Sequence, residues 1–385
     1  MGEKKKSPLL RFLAFLLTAA LLLGTVFLIA NWQKLNFDFI RRYFAYRSLA
    51  KNENGQVESY RYIGGVGSSF VQLGDDLLVC SESGVRLYSP GGSAYVDQPG
   101  VLEHPFVTTG GDAALVYDMG GSDLFVYRDR AQVFSYTAED GHSILYASLS
   151  AQGQLVLVTQ ASGLKGEVTV YSSSFEPLFG LKISSRFVTG AELSPDGKTL
   201  ALSTSGQTGG IYDSQIGFYR FPRGAEETEP DAVCSLGNNT ILALNWSREP
   251  LRALGENALA FVSSDGTLAG SYSYGRRVLK GFSLDGDACT LLLGKYRAGS
   301  SADLAVVDSA GKELATLPMA QQVLSLSAAG KYLSVLTADG LTIYSGALEP
   351  YHIADGLQGA RRVLQREDGS VTLITSETAR LYLPN

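Results

Sequence analysis

From about Ser68 onward the chain repeats one hydrophobic phrase. A short apolar strand leads into a turn, a second apolar strand follows, and a third ends in an aromatic or aliphatic residue. The clearest copies are LSAQGQLVLVTQ (149–160), LSPDGKTLALST (193–204), LDGDACTLLLG (284–294), LSAAGKYLSVLT (326–337) and LQREDGSVTLIT (364–375). Looser copies are LGDDLLVCSE (73–82) and TGGDAALVYD (109–118). Asp-Gly and Ala-Gly pairs in the turns supply the positive-φ position of a hairpin. The third strands end at Tyr88, Tyr127, Tyr171, Tyr219, Val307, Tyr344 and Tyr382, with a weaker copy, AGSY, at Tyr272. These eight ends run from residue 88 to residue 382 in seven steps, a mean of 42 residues. A four-stranded propeller blade takes about 40–45 residues, whereas a barrel or sandwich carries no such higher-order period.

The pattern therefore predicts an all-β fold, a β-propeller of eight four-stranded blades, with first strands near residues 70, 106, 144, 187, 241, 278, 323 and 363. A count of seven stays open, because residues 205–275 are irregular and have room for one elaborate blade plus an insertion. The last copy runs out of chain after three strands. An extra alternating segment, VESYRYIG (57–64), precedes the first copy and is placed to complete the final blade, which removes a free sheet edge.

The N-terminal region follows a different period. Phe12 to Ala30 is 19 residues without a charge, just long enough as a helix to cross a hydrocarbon core of about 30 Å. Lys4, Lys5, Lys6 and Arg11 precede it and Trp32 follows at interfacial depth. The pattern predicts a transmembrane helix over 12–31 behind a basic tail over 1–11. A cleaved signal peptide is the competing reading, but its apolar core is usually shorter and no small-x-small site stands before Asn31. The basic tail favours an inside N-terminus and an outer-face propeller, although Lys34, Arg41, Arg42 and Arg47 blunt the bias. Apolar residues spaced by three or four predict a juxtamembrane amphipathic helix and polar linker over 32–55, with the propeller over 56–385.

Composition adds two constraints. Cys80, Cys234 and Cys289 are odd in number, widely spaced and set in apolar runs, so they read as core residues and not as a disulfide or metal framework. The net charge of −6 conceals an asymmetry. Residues 1–51 hold nine basic and two acidic residues, so the remainder holds 23 and 36, a net of −13. An acidic body of that kind repels nucleic acid.

At SPDGK (194–198) and its echoes the chain resembles the WD40-like and TolB-like propeller superfamily over roughly residues 56–385. The Gly-His and Trp-Asp pairs of strict WD40 repeats are absent; Gly141-His142 occurs once. The layout of basic tail, one membrane helix and propeller resembles an uncharacterised family of membrane-anchored propeller proteins from Gram-positive bacteria. The resemblance implies a fold and brings no activity or site residues.

Chemistry is sparse in the sequence. There are three histidines, His104, His142 and His352, and no H-x-x-x-H, C-x-x-C, EF-hand or G-x-S-x-G pattern, so no metal, cofactor or catalytic set is expected. The Gly-rich stretches 64–69 and 205–210 lack the helix and Lys-Ser/Thr of a phosphate loop. Acidic residues such as Asp196 and Asp368 fall where hairpin turns prefer them. One pattern stands out: polar or basic residues just before the inner strands, His104, His142, Arg186, Arg277, Gln322 and Arg362. In an eight-blade register these lie on the connections from fourth to first strands, around one channel mouth. Arg forks there suit carboxylate or phosphate groups; polar loop ends around a water-filled channel explain the same pattern.

The function expected is a membrane-anchored, non-enzymatic module at the cell envelope that binds another protein, an envelope polymer or a ligand. Two alternatives stand beside it: a channel-mouth hydrolase or lyase acting on a sugar or lactone, and a sensor coupled to a separate membrane partner.

Overall fold

The computed structural model describes residues 8–30, 38–65, 67–224 and 226–384 and divides into two compact units at Ser48/Leu49. In the first unit, α1 (Pro8–Ala30) is built from Leu, Ala and Phe, with Pro8 at the first position, where its missing N–H costs nothing. Thr18 and Thr25 donate to the carbonyls of Ala14 and Leu21, each at 2.7 Å, so neither hydroxyl interrupts the helix. Among the described residues, no helix is long and apolar enough to cross a membrane. Residues 12–30 of the segment expected as a membrane helix lie within α1, which begins at Pro8, and the described side chains cover only part of their uncharged run. Of the amphipathic helix and linker expected over 32–55, Asp38–Tyr46 form α2, nine residues with an acidic first turn that suits the helix dipole. Residues 31–37 lie outside the described residues.

The second unit begins with β1 (Tyr60–Arg61). Blade 1 takes β2 (Ser69–Leu73), β3 (Asp76–Ser81), β4 (Gly84–Tyr88) and β5 (Ala94–Pro99). Blade 2 takes β6 (Pro105–Gly110), β7 (Ala113–Asp118), β8 (Asp123–Arg128) and β9 (Ala131–Thr137). Blade 3 takes β10 (Ser143–Leu149), β11 (Leu155–Gln160), β12 (Gly166–Tyr171) and β13 (Pro177–Ile183). Blade 4 takes β14 (Phe187–Leu193), β15 (Thr199–Thr208), β16 (Ile211–Arg220) and β17 (Ala232–Gly237). Blade 5 takes β18 (Ile241–Asn245), β19 (Leu251–Gly255), β20 (Ala258–Val262) and β21 (Leu268–Ser273). Blade 6 takes β22 (Val278–Ser283), β23 (Cys289–Gly294), β24 (Ala302–Val307) and β25 (Glu313–Met319). Blade 7 takes β26 (Val323–Ala329), β27 (Tyr332–Thr337), β28 (Gly340–Ser345) and β29 (Pro350–Asp355). Blade 8 takes β30 (Arg362–Gln365), β31 (Val371–Ile374) and β32 (Thr378–Tyr382).

Among the described residues these form eight four-stranded antiparallel sheets, and the eighth runs β1-β32-β31-β30. The count is eight, and the irregular stretch is accounted for: β15 and β16 are ten residues each, and blade 5 follows complete with short strands. One phrase was misplaced. Tyr272 stands on β21, an outer strand, while the third strand of its blade is β20. The segment 57–64 closes the ring as its alternation suggested. Tyr60 pairs with Ala379 and Arg61 with Thr378, Val57 N–H donates to Leu381 at 3.0 Å, and Leu383 N–H donates to Gly55 at 2.8 Å.

The repeated phrase has a packing reason. Second strands such as β3, β7 and β23 are buried on both faces because a blade lies on either side, so they read as continuous apolar runs. Outer strands such as β5 alternate. The turns recur in geometry: Gly197 N–H donates to Ser194 C=O at 2.8 Å with φ +69°, and Gly369 N–H to Arg366 C=O at 3.1 Å with φ +84°. All three cysteines are buried and unpaired, as their apolar settings implied. The acidic stretch 220–231 connects β16 to β17. Arg223 gathers it, 2.5 Å from Asp231 and donating to the Glu227 carbonyl at 2.7 Å.

Apolar packing falls into eight clusters, one at each blade interface. The cluster between blades 8 and 1 has five buried members, Leu77, Val79, Tyr88, Ile374 and Ala379, where the others have eight to eleven. Tyr60 and Tyr62, from β1 and beside it, pack against this smaller core.

Candidate functional site

The first strand of each blade lies innermost, and neighbouring first strands are joined by short polar side chains. Ser148 donates to the Ala191 carbonyl at 2.6 Å, Ser283 accepts from Ala328 N–H at 3.0 Å, and Ser325 and Ser327 accept from Val363 and Gln365 N–H at 3.1 and 3.0 Å. Ser148, Ser283 and Ser325 each stand one residue before the leucine that opens the repeated phrase, and Ser327 one residue after it. They satisfy backbone groups of the inner edges that no fifth strand can pair.

Deep in the channel, Tyr146 donates to Glu192 Oε1 at 2.9 Å. Glu192 keeps partial solvent contact through the channel, yet its depth in the ring pushes the carboxyl up to about 8, against the pull of the hydrogen bond from Tyr146. Tyr146 is itself raised, first by burial and then by the nearby carboxylate.

Five consecutive inner strands carry a bulge at one position. In blades 3 to 7 the pairing with the second strand skips a residue: Leu145, Thr189, Leu242, Lys280 and Leu324. A bulge inserts an unpaired residue and re-aims its side chain. Here the innermost strand has only the channel beyond it. Leu242 is 55% exposed and Leu324 43%, with Lys280 between them on blade 6.

The six residues expected at the channel mouth fall on connections from fourth to first strands or open the first strand, but they differ in what holds them. Arg186 turns into its own blade: Nη1 lies 3.0 Å from Asp213 Oδ1, Nη2 donates to the Asp213 carbonyl at 2.9 Å, and Nε donates to Thr204 Oγ1 at 3.0 Å. Burial works against the Asp213 charge, but hydrogen bonds from Arg186, Gln215 and Thr208 outweigh it and hold the carboxyl below its usual range. Arg277 donates to the Tyr272 hydroxyl at 2.8 Å and the Tyr274 carbonyl at 3.2 Å. Arg362 lies over the Phe70 ring at 5.8 Å. His104 is exposed and its backbone N–H binds Asp118 at 2.6 Å; His142 is half-buried. The Arg186 fork thus addresses its own blade and the Arg277 fork the outer strand of the preceding one, and each of the six has its own surroundings.

Gln322 does stand in a cavity. A depression of about 570 Å³ opens beside it, with Leu242, Leu292 and Val323 as apolar lining and Lys280 and Arg297 as cations. Lys280 donates to the Gly299 carbonyl, which fixes the β23–β24 loop beside the cavity. Arg297, 85% exposed, lies 3.8 Å from Glu256. Sequence reasoning missed Lys280 and Arg297. The available signals were a lone lysine inside the apolar strand VLKGFS and a cation in the Gly/Ser-rich loop KYRAGSSAD. Among the described residues no three His, Cys, Asp or Glu side chains gather as a metal ion would need. Of the expected interfacial residues, Lys4, Lys5, Lys6 and Trp32 lie outside the described residues, and Arg11 falls within α1 with its side chain likewise outside them.

Residues 45–347 match the family described as "Family of unknown function (DUF5711)". No curated protein matches the chain. Among solved structures, the C-terminal WD40 domain of Sif2 is similar, with a TM-score of 0.59 at 12% identity over 87% of this chain and 98% of that one. BBS1N in complex with ARL6DN aligns at a TM-score of 0.48 and 11% identity, over 87% and 98% of the two chains. Hsv2 of Kluyvelomyces marxianus aligns at 0.46 and 12%, over 72% and 91%. At such identities the likeness to the Sif2 domain establishes a WD40-type propeller fold and nothing of its activity.

Proposed function

The chain belongs to the DUF5711 family of unknown function, and we propose that its propeller is a non-enzymatic module at the cell envelope that binds a protein, an envelope polymer or a ligand through the face carrying the connections from fourth to first strands. The observation that carries this reading is the depression beside Gln322, where apolar and cationic side chains meet at the channel mouth. Binding sites combine apolar lining with a few placed polar groups in this way.

We place the module on a single membrane helix, as in the Gram-positive propeller proteins its layout resembles. In support, α1 covers the segment whose composition suggests an anchor. It contains the 19-residue uncharged run, and Phe12, Leu13, Phe15, Leu17 and Leu23 are each more than half exposed to solvent. Exposed Ile40, Tyr43 and Phe44 on α2 suit a helix lying at headgroup depth. The basic tail favours the extracytoplasmic side for the propeller.

The test is photo-cross-linking in intact cells with the full-length chain, placing the photoreactive group at Gln322 or, on the opposite face, at Lys312 in the β24–β25 turn. A discrete adduct from position 322 and none from 312 is the expected result. No adduct, or equal adducts from both positions, overturns the assignment of this face.

A further inference from the structure

The depression beside Gln322 is graded in a way that identifies the class of ligand. We infer that it takes an anionic amphiphile, a carboxylate or phosphate headgroup on an apolar body, with the head at Lys280 and Arg297 and the body along Leu242, Leu292 and Val323. The inference rests on the reading of this face as the binding face.

Three adjacent blades present their bulged residues in the order Leu242, Lys280, Leu324. Ile241, one residue before Leu242, is 7% exposed, whereas Leu242 is 55% exposed. The bulge therefore takes a leucine out of the blade interface and turns it to the channel. Leu324 is turned out on the far side of Lys280 in the same way, with 43% exposure. An exposed leucine forgoes burial, and two flanking one cation form an apolar ledge with a charged centre. The ledge continues into the depression through Leu292 and Val323.

The polar end is cationic. The Lys280 ammonium has three donors, of which the Gly299 carbonyl engages one, leaving two for a headgroup. Arg297 is held by a single long contact to Glu256 across 3.8 Å and is largely exposed, so a ligand oxygen competes for it readily. The volume of about 570 Å³ lies within the range of small-ligand sites. An anion alone leaves the leucines wet, and an uncharged tail alone leaves Lys280 without its counter-charge. Only a molecule with both ends matches both observations.

The experiment is calorimetric titration of the full-length chain, held in a detergent-free amphipathic polymer, with octanoate, acetate and octanol. Octanoate should saturate one site, with acetate and octanol each at least about tenfold weaker. Lys280→Gln and Leu242→Ser should each weaken octanoate by about tenfold. Lys312→Gln should leave it unchanged. Leu242 is exposed and Lys280 half-buried beside the channel, and neither belongs to a blade-interface core, so the variants should keep the parent's melting curve. Equal octanoate affinity in Lys280→Gln, or no saturation at all, overturns the amphiphile assignment. The binding-face reading then stands or falls separately on the cross-link from Gln322. Competition from phosphatidylglycerol-containing vesicles, and none from phosphatidylcholine vesicles, assigns the natural ligand to a membrane. Unaffected octanoate binding in both assigns it to the aqueous phase.

Discussion

Arg366 and Asp75 stand 291 residues apart in the chain and meet across the seam between blades 8 and 1, with Arg366 Nη1 3.3 Å from Asp75 Oδ1 and Nη2 donating to the Asp75 carbonyl at 3.0 Å. Nη2 also donates to Thr372 Oγ1 at 3.2 Å, and Gln72, turned so that its oxygen faces the guanidinium, accepts from it too. The guanidinium sits where the apolar cluster is smallest, so polar contacts supply what packing does not. Arg252 makes a similar reach from blade 5 to the carbonyls of Leu284 and Gly286 in blade 6.

Arg366→Ala should therefore destabilise the propeller by about 2 kcal/mol, since it strips hydrogen bonds to a buried charged group and leaves their acceptors without a partner. Asp75→Ala should cost less, because Asp75 is 58% exposed and water replaces the lost contact. Urea midpoints of the two variants against the parent measure the difference.

Truncations should separate the two units. Removing residues 1–48 keeps β1 and every later strand, so the chain should still close as a soluble ring of eight sheets. Removing residues 1–64 also takes β1 and its ladder to β32, exposes that strand as a free edge and deprives the seam core of Tyr60 and Tyr62. The shorter chain should aggregate, and size-exclusion chromatography with light scattering distinguishes the outcomes.

Glu192 should give the fold a pH dependence of definite sign. Its carboxyl is raised from an ordinary 4.5 to about 8 by its depth in the ring, so between those values the folded chain holds a proton that the unfolded chain has lost. Stability is greatest below about 4.5 on this account and falls as pH rises toward 8, by at most about 1.4 kcal/mol per pH unit. Glu192→Gln should remove that slope and leave the variant the more stable of the two at pH 8. Denaturant titrations from pH 5 to pH 8, on the order of three units, test it.

Arg186→Ala should loosen the β15–β16 hairpin. Pairing to β14 reaches Ser205 and pairing to β17 reaches Ser214, so residues 206–213 form a two-stranded projection that Arg186 ties down through Thr204 and Asp213. Faster amide exchange confined to that projection, with β26–β29 unchanged, is the expected result in hydrogen-exchange mass spectrometry.

The blade register was legible because it is set locally. Turns such as Ser194–Thr199 impose a hairpin on whatever flanks them, and the closing segment announced itself by alternation. Tyr272 misled for the same reason: the Asp265-Gly266 turn joins third and fourth strands in blade 5, while the first-to-second connection there, Trp246–Pro250, has no glycine at all. The cavity was not legible. Lys280 faces the channel through a bulge defined by pairing with β23, and nothing in VLKGFS states which residue the ladder will skip. Arg186 and Arg277 looked available because their partners come from returning strands: Asp213 from β16 of the blade that Arg186 opens, and Tyr272 from β21 of the blade before Arg277.

The pairing of Tyr60 with Ala379 also sets an order of events during synthesis. The strand that completes the last blade is among the first parts of the propeller to leave the ribosome, and it waits through more than three hundred residues for its partner. Every intermediate length of this propeller is an open arc with an unmatched end, and only the arrival of β32 converts it to a closed one. A chain stopped early in blade 8 therefore cannot pass as a slightly smaller propeller. It stays unsealed and open to proteolysis, so closure itself reports that β32 has been made and paired.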